Sequence, residues 1–323
     1  MSADDLIGTV IAGRFEVLAE IGEGGMGTVY RARQRSVERD VAIKVIKPQL
    51  SRDAKVLKRF QREARLASKL SQPNTVSVID HGVTPDGRLY LAMELIEGRT
   101  LLEVSSDDGK LPVDRVVRIG SQLCDALEAA HELGIVHRDL KPENVIVLAR
   151  PPGRDLLKVL DFGLAKLFSD VSSTSGVVGT PRYMAPEVAT RGESSPANDV
   201  YAVGVILAEL ALGRPLYNSN DLGDLVLMKM RPEPDVALLP QPLRRAVGAM
   251  LVPDPARRAT AAQARTLLRA VADGSVAFPM VPTVPVPVPP SPAPVRRARW
   301  PLLVLLALAL AAAAVAVYVR HAA

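Results

Sequence analysis

The run His137-Arg138-Asp139-Leu140-Lys141-Pro142-Glu143-Asn144, followed by Asp161-Phe162-Gly163, is the feature that most constrains this chain. A hydroxyl that attacks a phosphoryl group must be held in line and have its proton accepted, a task suited to an uncoordinated carboxylate such as Asp139. Lys141, two residues on, stands where it can neutralise charge on the transferring group. Magnesium is a hard cation that takes oxygen ligands from one or two side chains plus substrate phosphates, which suits Asn144 and Asp161. No cluster of His or Cys in the sequence competes for a transition metal.

Between the two motifs, the apolar runs Val145–Leu148 and Leu156–Leu160 flank Pro151-Pro152-Gly153-Arg154-Asp155. Apolar runs on either side of a Pro/Gly turn predict a small β-hairpin, which folds Asp161 back beside Asn144.

The 323 residues exceed one average domain, but composition shifts abruptly near Gly274 and leaves about 270 residues to build a core. Cys124 is the single cysteine, set among Ile119, Leu123, Ala126, Leu127 and Ala130 at helical spacing. It forms no internal disulfide and is expected to be a small core residue in a reducing compartment. The net charge of +5 is modest, and the basic residues are scattered without interleaved aromatics. That pattern argues against a nucleic-acid partner. The opening Met-Ser-Ala-Asp-Asp-Leu-Ile-Gly is polar and acidic, unlike a cleavable signal.

Upstream, Ile21-Gly22-Glu23-Gly24-Gly25-Met26-Gly27-Thr28-Val29 contains Gly-x-Gly-x-x-Gly, whose glycines admit phosphates close to the backbone. A plain glycine turn or a dinucleotide-binding loop are the alternatives. The latter needs a helix directly afterwards, whereas Thr28-Val29-Tyr30-Arg31-Ala32-Arg33 alternates like a strand and predicts a β-hairpin lid. Val41-Ala42-Ile43-Lys44 then places one lysine among apolar residues, and a buried lysine needs a partner. Glu63, within the amphipathic helical pattern Leu57, Phe60, Ala64 and Ala67, is the partner expected for Lys44.

With these residues in order, the chain resembles the Hanks-type serine/threonine protein kinases, in particular the bacterial membrane-anchored kind. The resemblance spans roughly residues 11–272. It implies an α+β, bilobal protein kinase fold, with a β-rich N-lobe over 11–93, a hinge over 94–97 and a mainly helical C-lobe over 98–272. It implies ATP and Mg²⁺ as cofactors, with the whole stretch from Ile21 to Val29 covering the nucleotide. Val29 and Ala42 would sandwich the adenine, Lys44 would hold the α/β-phosphates while paired with Glu63, and Met93 would be the gatekeeper. Backbone groups of Glu94 and Ile96 would bind the adenine edge. Asp139 corresponds to the catalytic base, Lys141 is the form found in serine/threonine kinases, and Asn144 and Asp161 would ligate metal.

Ser172, Ser173, Thr174 and Ser175 lie between Asp161 and Ala185-Pro186-Glu187. In kinases with an arginine at the position of Arg138, a phosphate on this loop pairs with it, and Lys166 is expected to join that cluster. Ser172 and Thr174 are the first candidates for autophosphorylation. Thr180 resembles the family's substrate-groove threonine. By the same resemblance Asp199 braces the His137-Arg138-Asp139 turn, although a helix N-cap is its simpler reading. Arg258 matches an arginine that pairs with Glu187. His81 and His131 carry no motif and are read as structural.

Residues 273–299 form a proline-rich linker, with prolines at nearly alternate positions from Pro279 to Pro294, favouring an extended polyproline II spacer over an SH3 ligand. Arg296, Arg297, Arg299 and Trp300 lead into Pro301–Val319, 19 residues without a charge. As a helix this run spans roughly 28 Å, close to a bilayer's hydrocarbon core, so 300–319 is expected to be a C-terminal transmembrane helix. The arginine bias places the kinase domain on the cytoplasmic side of the cell (inner) membrane, as a single-pass protein. With Arg320-His321-Ala322-Ala323 as a short external tail, the expectation is a kinase without an external sensor. Ala309 and Ala313, at four-residue spacing, would allow close helix packing in a homodimer. The expected activity is ATP-dependent phosphorylation of protein substrates on Ser and Thr. The alternative is a pseudokinase scaffold, a class that usually lacks one of the positions held here by Lys44, Asp139 and Asp161.

Overall fold

The computed structural model describes residues 6–51, 54–84, 86–148, 155–162, 181–219, 221–231 and 236–274. All belong to one compact unit, Met1–Val276. The proposed phosphorylation sites Ser172 and Thr174, with Lys166 and Thr180, lie outside the described residues, as do the linker and the proposed membrane span. Among the described residues, no helix is long and apolar enough to cross a membrane.

The N-terminal part is a six-stranded sheet, β1 (Val10–Ile11), β2 (Phe15–Glu23), β3 (Gly27–Gln34), β4 (Arg39–Ile46), β5 (Val78–Val83) and β6 (Leu89–Glu94), in the order β1-β2-β3-β4-β6-β5. Every pairing is antiparallel. Alternation along β3 and β4 gives the sheet two faces. One carries Phe15, Val17, Tyr30, Ala32, Ile43, Val45 and Tyr90. The other carries Ala42, Leu91 and Met93, against which α2 (Ala54–Ala67) lays Val56, Phe60 and Ala64. A short helix, α1 (Pro48–Ser51), precedes α2.

Below this sheet the chain is mostly helical. Helices α3 (Leu101–Asp108), α4 (Val113–Glu132), α5 (Pro186–Arg191), α6 (Pro196–Leu212), α7 (Leu222–Lys229), α8 (Gln241–Met250) and α9 (Ala261–Ala272) surround one large apolar core. Helix α6 is apolar on nearly every side, from Val200 to Ala211, as befits a helix enclosed by others. Cys124 is buried on α4 within that core.

A second small sheet joins the two parts: β7 (Gly98–Thr100), β8 (Val145–Leu148) and β9 (Leu156–Val159), in that order. The β8–β9 hairpin read from the sequence is present, in register Val145↔Val159. Its connecting residues 149–154 lie outside the described residues.

Candidate active site

The glycine-rich stretch folds as a β-hairpin lid. Ile21, Gly22 and Glu23 end β2, Gly24, Gly25 and Met26 form the turn, and Gly27, Thr28 and Val29 begin β3, with the Gly24 amide donating to the Gly27 carbonyl at 2.9 Å. A strand follows the loop rather than a helix, so the dinucleotide-binding geometry is excluded. Gly27 is required by packing. A Cβ there would stand 2.2 Å from the Val45 carbonyl oxygen on β4, so any other residue forces the strands apart.

Beneath the lid, Ala42 and Met93 belong to an apolar cluster that Met26, Val29, Leu95, Ile96 and Leu160 pack against. Ile96 lies between β6 and β7, and its amide makes no hydrogen bond among the described residues. Glu94 is tied down by its side chain as well. Its carboxylate accepts from the Lys158 ammonium at 2.7 Å and from the Ser77 amide at 2.8 Å. Burial works against ionisation here, but Lys158 and Ser77 hold the Glu94 carboxyl below its ordinary range.

Lys44 departs from the expected pairing. Its Nζ bonds Asp161 Oδ2 at 2.5 Å, where Glu63 was the expected partner. Glu63 is buried on α2 with its carboxylate 4.0 Å from Arg62 Nε, and it also feels the charge of Arg138. The physical reason is proximity: a largely buried ammonium takes the nearest carboxylate, and the bend after β9 delivers Asp161 directly to it. Asp161 reaches this position through a left-handed backbone, φ +59°.

The loop before β8 gathers the remaining groups. Lys141 Nζ is 3.0 Å from Asp139 Oδ2. Asn144 closes a 3-10 turn over Pro142–Asn144, and its Nδ2 donates to the Asp139 carbonyl at 2.7 Å. That bond leaves the Asn144 side-chain oxygen as a donor for a cation. The Leu160 amide donates to the Asn144 carbonyl at 2.9 Å, which joins the two motifs at the base of the hairpin. An amide oxygen and a carboxylate on adjoining strand ends are a hard-oxygen set suited to Mg²⁺.

The turn itself is suspended from α6. Asp199 accepts the His137 amide at 2.8 Å and the Arg138 amide at 2.9 Å, one on each oxygen, while Arg138 adopts φ +70°. The N-cap of α6 is Ser195, so Asp199 acts as a brace rather than a cap. His131, read as structural, is a third partner of Asp199, with Nε2 2.9 Å from Oδ2. His137 accepts the Asp139 amide on Nδ1 at 3.3 Å and reaches the Leu160 carbonyl through Nε2 at 2.7 Å, which fixes the proton on Nε2. Its ring packs edge-on against Phe162, centroids 5.0 Å apart. Arg138 donates to Ser194 Oγ at 2.9 Å. Burial pushes its pKa down, with Glu63 and Asp199 opposing.

The Arg258–Glu187 pair is present and deeply buried, bidentate at 2.6 and 2.9 Å, with Asn198 also donating to Glu187 at 2.6 Å. Sequence reasoning missed Lys229. It ends α7 as a lone basic residue, which reads as solvated, yet it is buried and donates to the Pro181, Arg182 and Met184 carbonyls. No local pattern signals this, because its partners are backbone atoms far away in sequence.

Comparison with known proteins agrees with this geometry. The protein kinase domain family matches residues 15–267. Serine/threonine-protein kinase pkn3 of Myxococcus xanthus is 41% identical over 275 residues, covering 83% of this chain and 48% of the relative. Serine/threonine-protein kinase PrkC of Bacillus subtilis is 37% identical, covering 71% of this chain and 35% of the relative. The chain thus spans about half or less of these relatives' lengths. The crystal structure of the Mycobacterium tuberculosis PknI kinase domain superposes with a TM-score of 0.63 at 26% identity, covering 82% of this chain and 98% of that one. With glycine lid, lysine, catalytic turn and acidic bend meeting in one cleft, the chain belongs to the protein kinase family.

Proposed function

We propose that this protein is a serine/threonine protein kinase that transfers the γ-phosphoryl group of ATP to Ser and Thr hydroxyls of other proteins. The observation that carries the reading is the convergence of Asp139, Lys141, Asn144, Asp161 and Lys44 beside the glycine lid. The serine/threonine kinases among its relatives and Lys141 next to the base support the hydroxyl specificity.

Val29, Ala42, Met93 and Ile96 would enclose the adenine, with the Ile96 amide, which donates to none of the described residues, available to its edge. Asn144 and Asp161 would hold Mg²⁺, which when bound neutralises phosphate charge during transfer. Asp139 accepts the proton of the attacking hydroxyl. As the new O–P bond forms, the bond to the β,γ-bridging oxygen breaks and ADP leaves with the electron pair. Lys141, 3.0 Å from Asp139, offsets the charge gathering on the transferred group. With Mg²⁺ bound, Asp161 would serve the metal, Lys44 would hold the α/β-phosphates, and Glu63 would be its counter-ion.

Activation by autophosphorylation at Ser172 or Thr174, and substrate-groove contact by Thr180, belong to the same reading, with Arg138 as the phosphate's partner. Anchoring by the uncharged run Pro301–Val319, with the kinase domain in the cytoplasm and a homodimer through Ala309 and Ala313, extends it to the membrane. Incubation with labelled ATP, Mg²⁺ and arrayed Ser/Thr peptides tests the transfer. Label must appear with the native protein and vanish in Lys44→Ala and Asp139→Asn. Equal labelling in all three refutes the assignment.

A further inference from the structure

Basic residues are scattered over most of this chain, but α2 gathers them. Ala54–Ala67 holds Lys55, Lys58, Arg59, Arg62 and Arg65 against a single acidic residue, Glu63, a net charge of +4 on a helix whose whole chain carries +5. Lys69 follows one turn after Arg65. Val56, Phe60 and Ala64 turn one side of α2 into the core beneath the sheet, and Glu63 is buried as well. Lys58, Arg62, Arg65 and Lys69 are exposed, Arg62 with 72% of its side chain in solvent. Their spacing of four, three and four residues sets them in one line away from the core. At 1.5 Å per residue that line is about 16 Å long.

Like charges one turn apart repel, so the stripe works against the helix that bears it. A surface of opposite charge relieves that repulsion. The stripe has no aromatic side chain to stack on bases or to insert among acyl chains, so what it fits is a broad anionic surface held by charge. The rest of the sequence indicates which surface. Pro301–Val319 is free of charge and is preceded by Arg296, Arg297 and Arg299. Those arginines and the stripe have the same sign, and an anionic cytoplasmic leaflet attracts both.

We infer that Lys58, Arg62, Arg65 and Lys69 form a docking surface for anionic phospholipid headgroups, laying the α2 side of the N-lobe on the membrane to which the C-terminal run ties the chain. The inference rests on the anchor in the proposed function and adds to it a second contact that depends on lipid charge. None of the four residues has a part in phosphoryl transfer, so the contact orients the domain and leaves the chemistry alone.

The test reconstitutes the full chain into vesicles of phosphatidylcholine, alone or mixed with phosphatidylserine, and labels outward lysines with a membrane-impermeant acetylating reagent. Mass spectrometry should find acetylation of Lys58 and Lys69 slowed about fivefold or more by the anionic lipid, with the exposed Lys110 unchanged. Salt at about 1 M, where the Debye length is about 3 Å, should abolish the difference. In an Arg65→Glu/Lys69→Glu variant, Lys58 should label alike on both kinds of vesicle. If that variant does not fold, the native comparison decides by itself. Equal labelling of native Lys58 and Lys69 on both vesicles overturns the inference, as does protection that survives the salt. Stronger protection by duplex DNA than by anionic vesicles overturns it too and assigns the stripe to nucleic acid. Flotation with the neutral vesicles reports the anchor alone. Without it the anchor reading fails and takes the inference with it, whereas flotation with equal labelling removes only the role of the stripe.

Discussion

Lys44 Nζ and Asp161 Oδ2 are 2.5 Å apart, so the glycine-lid lobe and the bend after β9 are joined by one ion pair. The same carboxylate is a proposed metal ligand, and it cannot serve Lys44 and Mg²⁺ to the full at once. Under the proposed function, Asp161 would serve the metal and Lys44 would turn to phosphate and Glu63.

Asp161→Asn should therefore have two separable effects. Loss of the charge partner of a largely buried lysine lowers stability by about 1–3 kcal/mol, read as a reduced urea midpoint. Mg²⁺-ATP should raise the melting temperature of the native protein and leave that of the variant unchanged. A full thermal shift in the variant would show that Asp161 does not serve the metal.

Asp199→Asn keeps the shape of the side chain but loses one of two acceptors for the His137 and Arg138 amides. With that position almost wholly buried, the orphaned amide costs about 1–3 kcal/mol. Transfer activity should fall along with it, because Asp139 is the next residue in the turn. Chemical denaturation and turnover measured on one preparation check both, and normal turnover in a destabilised variant would separate the brace from the chemistry.

Breaking the Arg258–Glu187 pair from one side leaves a buried charge without its partner. Arg258→Met alone should cost about 3–5 kcal/mol, and adding Glu187→Leu should recover part of that loss. Arg258 also donates to the Ala197, Val252 and Pro253 carbonyls, so recovery should stop short of native stability. Additive losses in the double variant would contradict the coupling.

Burial pushes the Cys124 thiol up to about 12, with Asp125 adding to the effect. Alkylation requires the thiolate, so iodoacetamide at pH 8 should leave the folded protein unmodified and label it at once in urea. Rapid labelling under native conditions would contradict the packing of α4.

The site was legible where chemistry is written in consecutive residues. The run from His137 to Asn144 and the β8–β9 pattern place Asn144 and Asp161 together, because a hairpin has only one way to bring its ends adjacent. The strand after Gly27 was equally legible, since alternation from Thr28 to Arg33 suits no helix. The partner of Lys44 was not. Two carboxylates, Glu63 and Asp161, satisfy the same demand for a counter-ion, and only tertiary distance chooses between them. Likewise Asp199 resembled a cap from its place near a helix start, whereas Ser195 and Asn198 share the capping box and free Asp199 for the turn. His131 and Lys229 left no trace because they answer to backbone and side-chain atoms distant in sequence.

Asp199 gives the cleft its fixed point. The proposed proton acceptor is hung from a helix at the centre of the larger lobe, while the lysine proposed to handle phosphate rides on the upper sheet and pairs with the acidic bend. Displacing the lid or the bend would leave this carboxylate where it stands, because the turn that carries it hangs from α6 and not from the upper sheet.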